Sequence, residues 1–216
     1  MKSHRMTFLV VGTALALALA GCSTPTAAGS RSASPKPTPT PTSSPVEYHS
    51  VAFGLPLTVE LDSSLNPVAL EDSAGLLTWQ QTGSPINRIR FLIPAKVYGE
   101  RGVFPVLDYQ AYIQTLHSQG ARLSQASTVT VAGQSVPIVT VKEPGGFDGS
   151  IGCSSETASQ HDPDHCFAYG PDYTIRVVSL VEHGTTLVAW ARTSPDKDDA
   201  AFNALFEKLL STITFD

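Results

Sequence analysis

The chain has 216 residues, a formal net charge of −5 at pH 7 and only 15% charged residues. All 19 acidic residues, but only ten of the 14 basic ones, lie at or after Glu47, so residues 47–216 carry a formal charge of −9. This acidic balance argues against nucleic acid as a partner and against a basic surface that docks on membranes.

The first 21 residues have the pattern of a secretory signal peptide. Lys2 and Arg5 precede an apolar stretch of 15 residues, Met6 to Ala20. A stretch of that length is shorter than the roughly 20 apolar residues that span a bilayer as a helix. The sequence therefore predicts export of the mature chain.

The end of this segment, Leu19-Ala20-Gly21-Cys22, resembles the bacterial lipobox. The resemblance implies that the Cys22 thiol receives a diacylglyceryl group, with acyl chains such as palmitate, and that signal peptidase cuts before Cys22. A plain secreted protein and an uncleaved anchor are the alternatives. With the anchor, we expect the protein on the outer face of the cell membrane, attached to the bilayer through Cys22.

Residues 22–45 predict a disordered tether behind the anchor. Seventeen of residues 23–45 are Pro, Ser or Thr. Frequent proline blocks helix formation and favours an extended chain of about 3.1 Å per residue, which gives a reach of roughly 70 Å. Residues 46–216 contain no comparable linker and are expected to form a single domain.

Alternating apolar and polar residues predict antiparallel strands in this domain. In one of them, Arg88 and Arg90 alternate with apolar neighbours. The predicted strands cover residues 55–61, 76–81 and 88–93, followed by hairpins over 129–140 and 173–192 with turns at 132–134 and 182–185.

Two segments have helical periodicity. The first has apolar residues at Tyr109, Tyr112, Ile113 and Leu116, with Asp108 as the expected N-cap and Gly120 as the stop. The second covers residues 202–213, with Ser194 as the expected N-cap and Pro195 in the first turn. A short final strand is expected at 211–215.

These elements predict an α+β domain in which an antiparallel sheet is flanked by amphipathic helices. The order is an opening strand at Phe53-Gly54-Leu55-Pro56-Leu57, a meander, a helix, two hairpins and a last helix before residues 211–215. This order resembles the PsbP-like sandwich of actinobacterial, LpqN-type lipoproteins. The resemblance implies a non-catalytic binding or accessory protein.

The two remaining cysteines, Cys153 and Cys166, are expected to form a disulfide in an oxidising compartment. They flank a polar segment that has too few apolar residues for burial to hold it in place. Closing a loop of this size contributes about 3 kcal/mol in the chain-entropy model. We interpret the whole stretch from Pro144 to Asp172 as one long loop and as the candidate binding element.

The same loop contains potential metal ligands at His161, Asp162, Asp164 and His165. Pro163 between them disfavours a helical pair of histidines, and no second ligand motif supports a site. The preferred interpretation is a solvated loop without metal, and no cofactor is expected apart from the lipid on Cys22.

Catalytic motifs are not found in the sequence. The Gly-x-Ser-x-Gly pattern is absent, and Ser194-Pro195-Asp196-Lys197 is better explained by helix capping than by a Ser-x-x-Lys nucleophile. Four aromatic residues could line a ligand groove, although core packing is the simpler interpretation: Trp79, Tyr98, Tyr112 and Trp190.

The predicted function is therefore that of a non-enzymatic binding or accessory lipoprotein of the cell envelope. Its partner would be an unidentified envelope protein or a cell-wall component. A carrier of a small ligand or a metal is the alternative, and an envelope hydrolase is a third possibility.

Overall fold

The computed structural model describes residues 44–99, 102–142, 149–194 and 199–216. The chain divides into two units, Met1–Pro41 and Thr42–Asp216, and all described residues belong to the second. None of the helices in these ranges is long and apolar enough to cross a membrane. The strands are β1 (Val46–Ser50), β2 (Leu57–Leu61), β3 (Glu71–Asp72), β4 (Leu76–Gln80), β5 (Arg88–Leu92), β6 (Val97–Gly99), β7 (Gly102–Phe104), β8 (Arg122–Val131), β9 (Gln134–Lys142), β10 (Ser150–Cys153), β11 (Cys166–Ala168), β12 (Thr174–Glu182), β13 (Thr185–Thr193) and β14 (Thr214–Phe215), and the helices are α1 (Tyr109–Ser118) and α2 (Ala200–Ser211).

The main sheet is antiparallel, with strand order β3-β4-β5-β13-β12-β9-β8 among the described residues. Two of its strand pairs are the predicted hairpins, and each has a two-residue turn. The turn residues Ala132 and Gly133 have φ angles of 46° and 82°, and His183 and Gly184 have 48° and 78°. Positive φ at both central residues matches the twist of the flanking strands, so the turns fix the register of both pairs.

One face of this sheet packs against α2 and against a smaller sheet of order β1-β2-β14. The cluster includes Trp79 and Phe91 from the main sheet and Phe202 and Phe206 from α2, all with 1% exposure or less. The rings of Trp79 and Phe91 meet edge to face at 5.3 Å. The predicted final strand is confirmed as β14, which pairs with β2.

The opposite face packs against α1 and against the β10–β11 hairpin. Tyr109 donates a hydrogen bond to the carbonyl oxygen of Ile151 at 2.7 Å, and Tyr112 donates to that of Ser150 at 2.7 Å. Both acceptors lie in β10. These two hydrogen bonds therefore hold the β10–β11 hairpin against helix α1. Together the two faces confirm the α+β class, with an antiparallel sheet flanked by two helices.

The start of the last helix differs from the prediction. Helix α2 begins at Ala200, and its N-cap is Asp199, whose carboxylate accepts a hydrogen bond from the backbone N–H of Phe202 at 2.9 Å. A second oxygen of Asp199 accepts from Asn87 at 2.9 Å. The expected cap at Ser194 is therefore wrong, because Asp199 makes the capping bond five residues later. Pro195 lies outside the described residues.

Helix α1 follows its prediction closely, although its N-terminus is weaker than expected. Asp108 occupies the N-cap position but makes no side-chain capping bond. The helix ends at Ser118, and Gly120 beyond it has a φ of 101°, a conformation that favours glycine.

The segment from 144 to 172 is not one long loop. Residues 143–148 lie outside the described part, and the remainder contains strands β10 and β11, which pair antiparallel. Gly152 allows the hairpin to approach the sheet, because a Cβ there would lie 2.8 Å from Leu92 Cδ2 and 3.1 Å from Pro94 Cβ. These strands are only three or four residues long, which is too short for a periodic pattern of apolar residues to indicate them.

Candidate functional site

The candidate site begins with two arginines on a central strand. In β5, Ile89 and Phe91 point to the α2 side and are fully buried. Side chains alternate along a strand, so Arg88 and Arg90 lie on the opposite face. Because β5 pairs with β4 on one side and β13 on the other, these arginines stand within the sheet rather than at its edge.

The neighbouring strand adds a third arginine and an aromatic ring. In the β5–β13 register, Arg192 lies opposite Arg88, and Trp190 lies opposite Arg90. Directly opposed residues in an antiparallel pair share a face, with Cβ atoms about 5 Å apart. Arg88, Arg90 and Arg192 therefore form one cluster.

The β10–β11 hairpin and the loop between its strands form the wall of a cavity over this cluster. Cys153 and Cys166, at the ends of that loop, are directly paired and lie at disulfide distance. Backbone hydrogen bonds of 2.8 Å in both directions connect Cys153 to the segment at Ala95 and Lys96. The cavity has a volume of about 450 Å³, and we call it the arginine pocket. Its lining residues are Arg88, Arg90, Ile151, Gln160, His161, Pro163, Cys166, Phe167, Ala168, Tyr173, Ile175, Trp190 and Arg192.

Aromatic rings hold the guanidinium groups in the arginine pocket. Arg90 Cζ lies 4.9 Å from the ring centroid of Phe167 and 5.9 Å from that of Trp190. Arg192 Cζ lies 4.4 Å from the ring centroid of Tyr173. Such cation–π contacts leave the edge of a guanidinium, which bears its N–H donors, available for other partners.

The arginines of the pocket have no carboxylate partner within the described ranges. None of the ion pairs found there includes Arg88, Arg90 or Arg192. The Nε atoms of Arg88 and Arg90 are buried and have no hydrogen-bond acceptor, whereas Arg192 Nε donates to the carbonyl oxygen of Ile86 at 3.1 Å. A buried donor without an acceptor costs roughly 1–3 kcal/mol.

The pKa values of Arg90 and Arg192 are lowered, as expected for positive charges without a carboxylate partner. Burial, together with the positive charges of Arg192 and Arg88, lowers the pKa of Arg90 to about 10. Burial also lowers the pKa of Arg192. The carboxylate of Glu71 acts in the opposite direction on the pKa of Arg90. Arg90 still carries its charge at neutral pH, so the pocket remains positive inside an acidic domain.

The predicted metal-ligand residues are not gathered into a site. One oxygen of Asp162 accepts hydrogen bonds from the backbone N–H groups of Asp164 at 3.1 Å and His165 at 3.2 Å, which forms a local turn. Across the described residues, no three His, Cys, Asp or Glu side chains lie close enough to hold a metal ion. His161 lines the arginine pocket.

Of the four aromatic residues considered as groove residues, only Trp190 lines the pocket. It is 1% exposed and also belongs to the core, so both interpretations hold for this residue. Trp79 is buried on the other face, and Tyr98 and Tyr112 bond backbone carbonyls around the hairpin instead.

Sequence reasoning missed the arginine cluster. The available signal was Arg88-Ile89-Arg90 within a strand flanked on both sides by other predicted strands, in a chain with few charged residues. An arginine pair on a central strand is less readily solvated than one on an edge strand. The hairpin residues that cover the arginine cluster could not be inferred, because they lie some 60 to 80 positions later in the chain.

The fold and pocket define an α+β domain with a positively charged cavity under a hairpin with a cysteine pair. Comparison with models of protein families finds no match, and comparison with curated proteins finds none either. Solved structures provide similarities at low sequence identity.

The solution structure of cyanobacterial PsbP (CyanoP) from Synechocystis sp. PCC 6803 aligns with a TM-score of 0.39 and 10% identity, over 80% of this chain and 93% of that one. A crystal structure from Bacteroides thetaiotaomicron VPI-5482 aligns with a TM-score of 0.41 and 9% identity, over 74% of this chain. This chain spans 45% of that Bacteroides chain. The first structure belongs to the family that the element order resembles. Both TM-scores are too low to carry an argument, so membership of that family remains a prediction.

Proposed function

We propose that this protein is a lipid-anchored lipoprotein on the outer face of the cell membrane, and that its domain is a non-enzymatic binding module. The Leu19-Ala20-Gly21-Cys22 sequence supports the anchor, and the proline-rich residues behind it support a tether. The binding element is the arginine pocket together with its hairpin wall.

The observation that carries the binding role is the uncompensated charge in the pocket. Arg88 and Arg90 each bury an Nε donor without an acceptor, and Arg192 adds a third positive group. Arg176 also buries an Nε without an acceptor, but its guanidinium is paired with Glu207, whereas Arg88, Arg90 and Arg192 have no carboxylate partner among the described residues. Like charges held together without a counter-ion favour the binding of an anion. A cavity of about 450 Å³ also falls in the usual size range of small-molecule sites.

The lining of the pocket supports binding over catalysis. Among the described lining residues there is no Asp, Glu, Ser or Thr, and Cys166 lies at disulfide distance from Cys153. His161 and Tyr173 remain, without a nucleophile and base arranged as a pair. Binding of an envelope molecule therefore accounts for these residues better than hydrolysis does.

Of the two carrier functions, the pocket favours a small ligand over a metal. Three arginines repel a cation, and His161, the one imidazole in the lining, stands beside them. A carrier or sensor of a small envelope molecule is the second candidate function, and it uses the same pocket as a binding module for a larger envelope component.

Native mass spectrometry of protein purified from its own host tests the binding role. We expect a co-purifying molecule on the wild-type chain, and we expect it to be lost from the Arg90→Gln variant. Arg122→Gln is the matched control, because Arg122 is exposed on β8 and lies outside the pocket. A bare mass for the wild type, or equal loading of all three proteins, would contradict the proposal.

A second experiment tests the anchor separately. Membranes and soluble fractions of the host are compared for the wild type and for Cys22→Ser. We expect the wild type in the membrane fraction and the variant, after removal of its signal peptide, in the soluble fraction. A processed variant that still partitions with membranes would overturn the lipid anchor without affecting the pocket.

A further inference from the structure

We infer that the arginine pocket is specific for a doubly charged phosphoryl group attached to a molecule with an apolar or aromatic part. This inference rests on the proposed binding function and names the ligand class for the same site. It follows from the number of charges in the pocket, the types of donor and the rings beside them.

The charge of the pocket favours a dianion. Arg88, Arg90 and Arg192 contribute three positive charges, and the lining contains no Asp or Glu among the described residues. The pocket therefore carries more positive charge than a single monoanion compensates. A phosphate monoester carries about −1.5 to −2 at neutral pH, whereas a carboxylate or a phosphodiester carries one negative charge. A monoanion would leave part of the positive charge uncompensated.

The donors also suit a phosphoryl group. Arginine presents several N–H groups in a planar fork that binds two oxygens of a phosphate at once. The three arginines come from two adjacent strands, with Arg192 opposite Arg88 and Arg90 two residues along on the same face. The three guanidinium groups therefore project from one face of the sheet into the same cavity, where they can share the oxygens of one phosphoryl group.

The other side of the pocket provides an apolar wall for the rest of the ligand. Phe167 and Trp190 lie with their ring centroids 5.4 Å apart, and Ile151 and Ile175 are also in the lining. Ile151, Ile175 and Trp190 are each at most 2% exposed, so the partly exposed rings of Phe167 and Tyr173 provide the main contact area. A bare phosphate ion would leave this wall without a partner, so an organic phosphate monoester fits the pocket better.

The remainder of the domain makes the pocket selective. Residues 47–216 carry a formal charge of −9, so the general field of the domain repels anions. Binding of a dianion therefore depends on the pocket itself and not on a diffuse basic surface.

Titration calorimetry with simple probes tests the inference, using the full chain in detergent with its disulfide intact. At pH 8 phenyl phosphate is a dianion, because its second pKa is about 6, and benzoate is a monoanion that carries the same phenyl ring. We expect saturable binding of phenyl phosphate and at least about tenfold weaker binding of benzoate and of inorganic phosphate. Benzoate binding as tightly as phenyl phosphate would overturn the dianion specificity, and inorganic phosphate binding as tightly would overturn the apolar part. Absence of saturable binding for every probe would overturn the inference altogether.

Variants show whether the probe occupies the arginine pocket. Arg90→Gln should weaken phenyl phosphate binding by at least about tenfold, since charge-assisted hydrogen bonds are lost. Arg90→Lys keeps the charge without the fork and should bind with intermediate affinity, while Arg122→Gln should bind like the wild type. The melting temperature of each variant serves as a folding control. Unchanged affinity in a folded Arg90→Gln protein would contradict the location.

The source of the phosphoryl group can be distinguished by reconstituting the full chain in vesicles. If phosphatidic acid in the vesicles prevents phenyl phosphate binding, the group belongs to a lipid head group. If phenyl phosphate still binds in the presence of phosphatidic acid, a soluble phosphate ester is the ligand. Both results support phosphoryl specificity.

The host-purified protein separates this inference from the proposed function. A co-purifying molecule that depends on Arg90 but contains no phosphoryl group would leave the binding function intact and refute the ligand class. A co-purifying molecule whose mass and fragmentation pattern show no phosphorus is therefore the decisive negative result.

Discussion

The arginines on the two faces of the main sheet differ in whether they have a carboxylate partner. On the α2 face, Arg176 bonds the carboxylate of Glu207 from α2 and also donates to the Ser127 hydroxyl at 3.3 Å. On the hairpin face, Arg88 and Arg90 have no carboxylate partner among the described residues. The first arginine is paired within the fold, whereas the ligand that we propose would pair the others. Strand alternation thus places a paired arginine and the unpaired ones on opposite faces of the same sheet.

The largest expected effect concerns the wall of the pocket. Replacing both Cys153 and Cys166 with alanine removes the closure of a loop with a sequence separation of 13. We expect the free energy of unfolding to fall by about 3 kcal/mol, and phenyl phosphate binding to weaken as the wall loosens. Urea denaturation of the variant and of the reduced wild type measures this. A loss below about 1 kcal/mol in both would contradict a disulfide in the exported protein.

The next effect tests the structural arginine. Arg176→Met breaks the pair with Glu207 and should lower the free energy of unfolding by about 2 kcal/mol. The value is below that of a fully buried pair because the Glu207 side chain is 35% exposed. Denaturant unfolding gives the difference directly. We expect no change in phenyl phosphate affinity, because Arg176 lies on the other face, and a tenfold loss of affinity would break the comparison.

A third prediction concerns the tyrosines that hold the hairpin. Burial raises the pKa of Tyr109 well above the ordinary value of 10.0, and burial also raises the pKa values of Tyr112 and Tyr169. Above pH 10 the unfolded chain loses protons that the folded chain keeps, so the free energy of unfolding should fall as pH rises. The lowered pKa values of Arg90 and Arg192 act in the opposite direction, since the unfolded chain keeps those protons at a pH where the folded chain has lost them. The tyrosines are more numerous, because burial also raises the pKa of Tyr48, and we expect their effect to dominate.

The Tyr109→Phe variant isolates one of these groups. It loses the hydrogen bond to Ile151 and should be about 1 kcal/mol less stable at pH 7. Its stability should fall less steeply above pH 10 than that of the wild type, because one titrating group has been removed. Denaturation at pH 8, 9, 10 and 11 measures both slopes, and identical slopes would contradict the role given to burial of Tyr109.

The smallest expected effect on stability is the most informative. Arg90→Met keeps much of the side-chain volume and removes a partly buried charge that has no carboxylate partner among the described residues. We expect the free energy of unfolding to change by no more than about 0.5 kcal/mol, or to rise. The contrast with Arg176→Met under the same denaturant conditions is the test. A loss of about 2 kcal/mol in Arg90→Met would show that this arginine is structural.

The sequence was sufficient for the elements with strong local signals. Both hairpins were predicted because alternation converges on Ala132-Gly133 and on His183-Gly184, where the backbone needs positive φ. The start of α2 was misplaced because two possible caps, Ser194 and Asp199, precede the same apolar stripe. Only the contact with Asn87, far away in the chain, shows how Asp199 is held.

The site was harder to predict. The position of each arginine on its strand follows from local sequence, but the contacts between the strands and the hairpin join residues that are far apart in the chain. Alternation alone places Arg88 and Arg90 on one face of β5. Their burial depends on Phe167, which the sequence left inside a long loop, and on the register that brings Arg192 opposite Arg88. The segment from Pro144 to Asp172 is a candidate binding element on the sequence alone, and this stays a prediction; residues of its described part line one wall of the pocket. The base of the pocket, however, comes from the sheet.

One measurement addresses the central claim directly, namely the thermal unfolding of the full chain in detergent with and without phenyl phosphate. A ligand that binds in the arginine pocket of the folded chain must stabilise that chain, and the stabilisation grows as the ligand concentration rises above its dissociation constant. We predict that phenyl phosphate raises the melting temperature of the wild type and of Arg176→Met, and leaves that of Arg90→Met unchanged. An equal shift in all three proteins, or no shift in the wild type, would contradict the account.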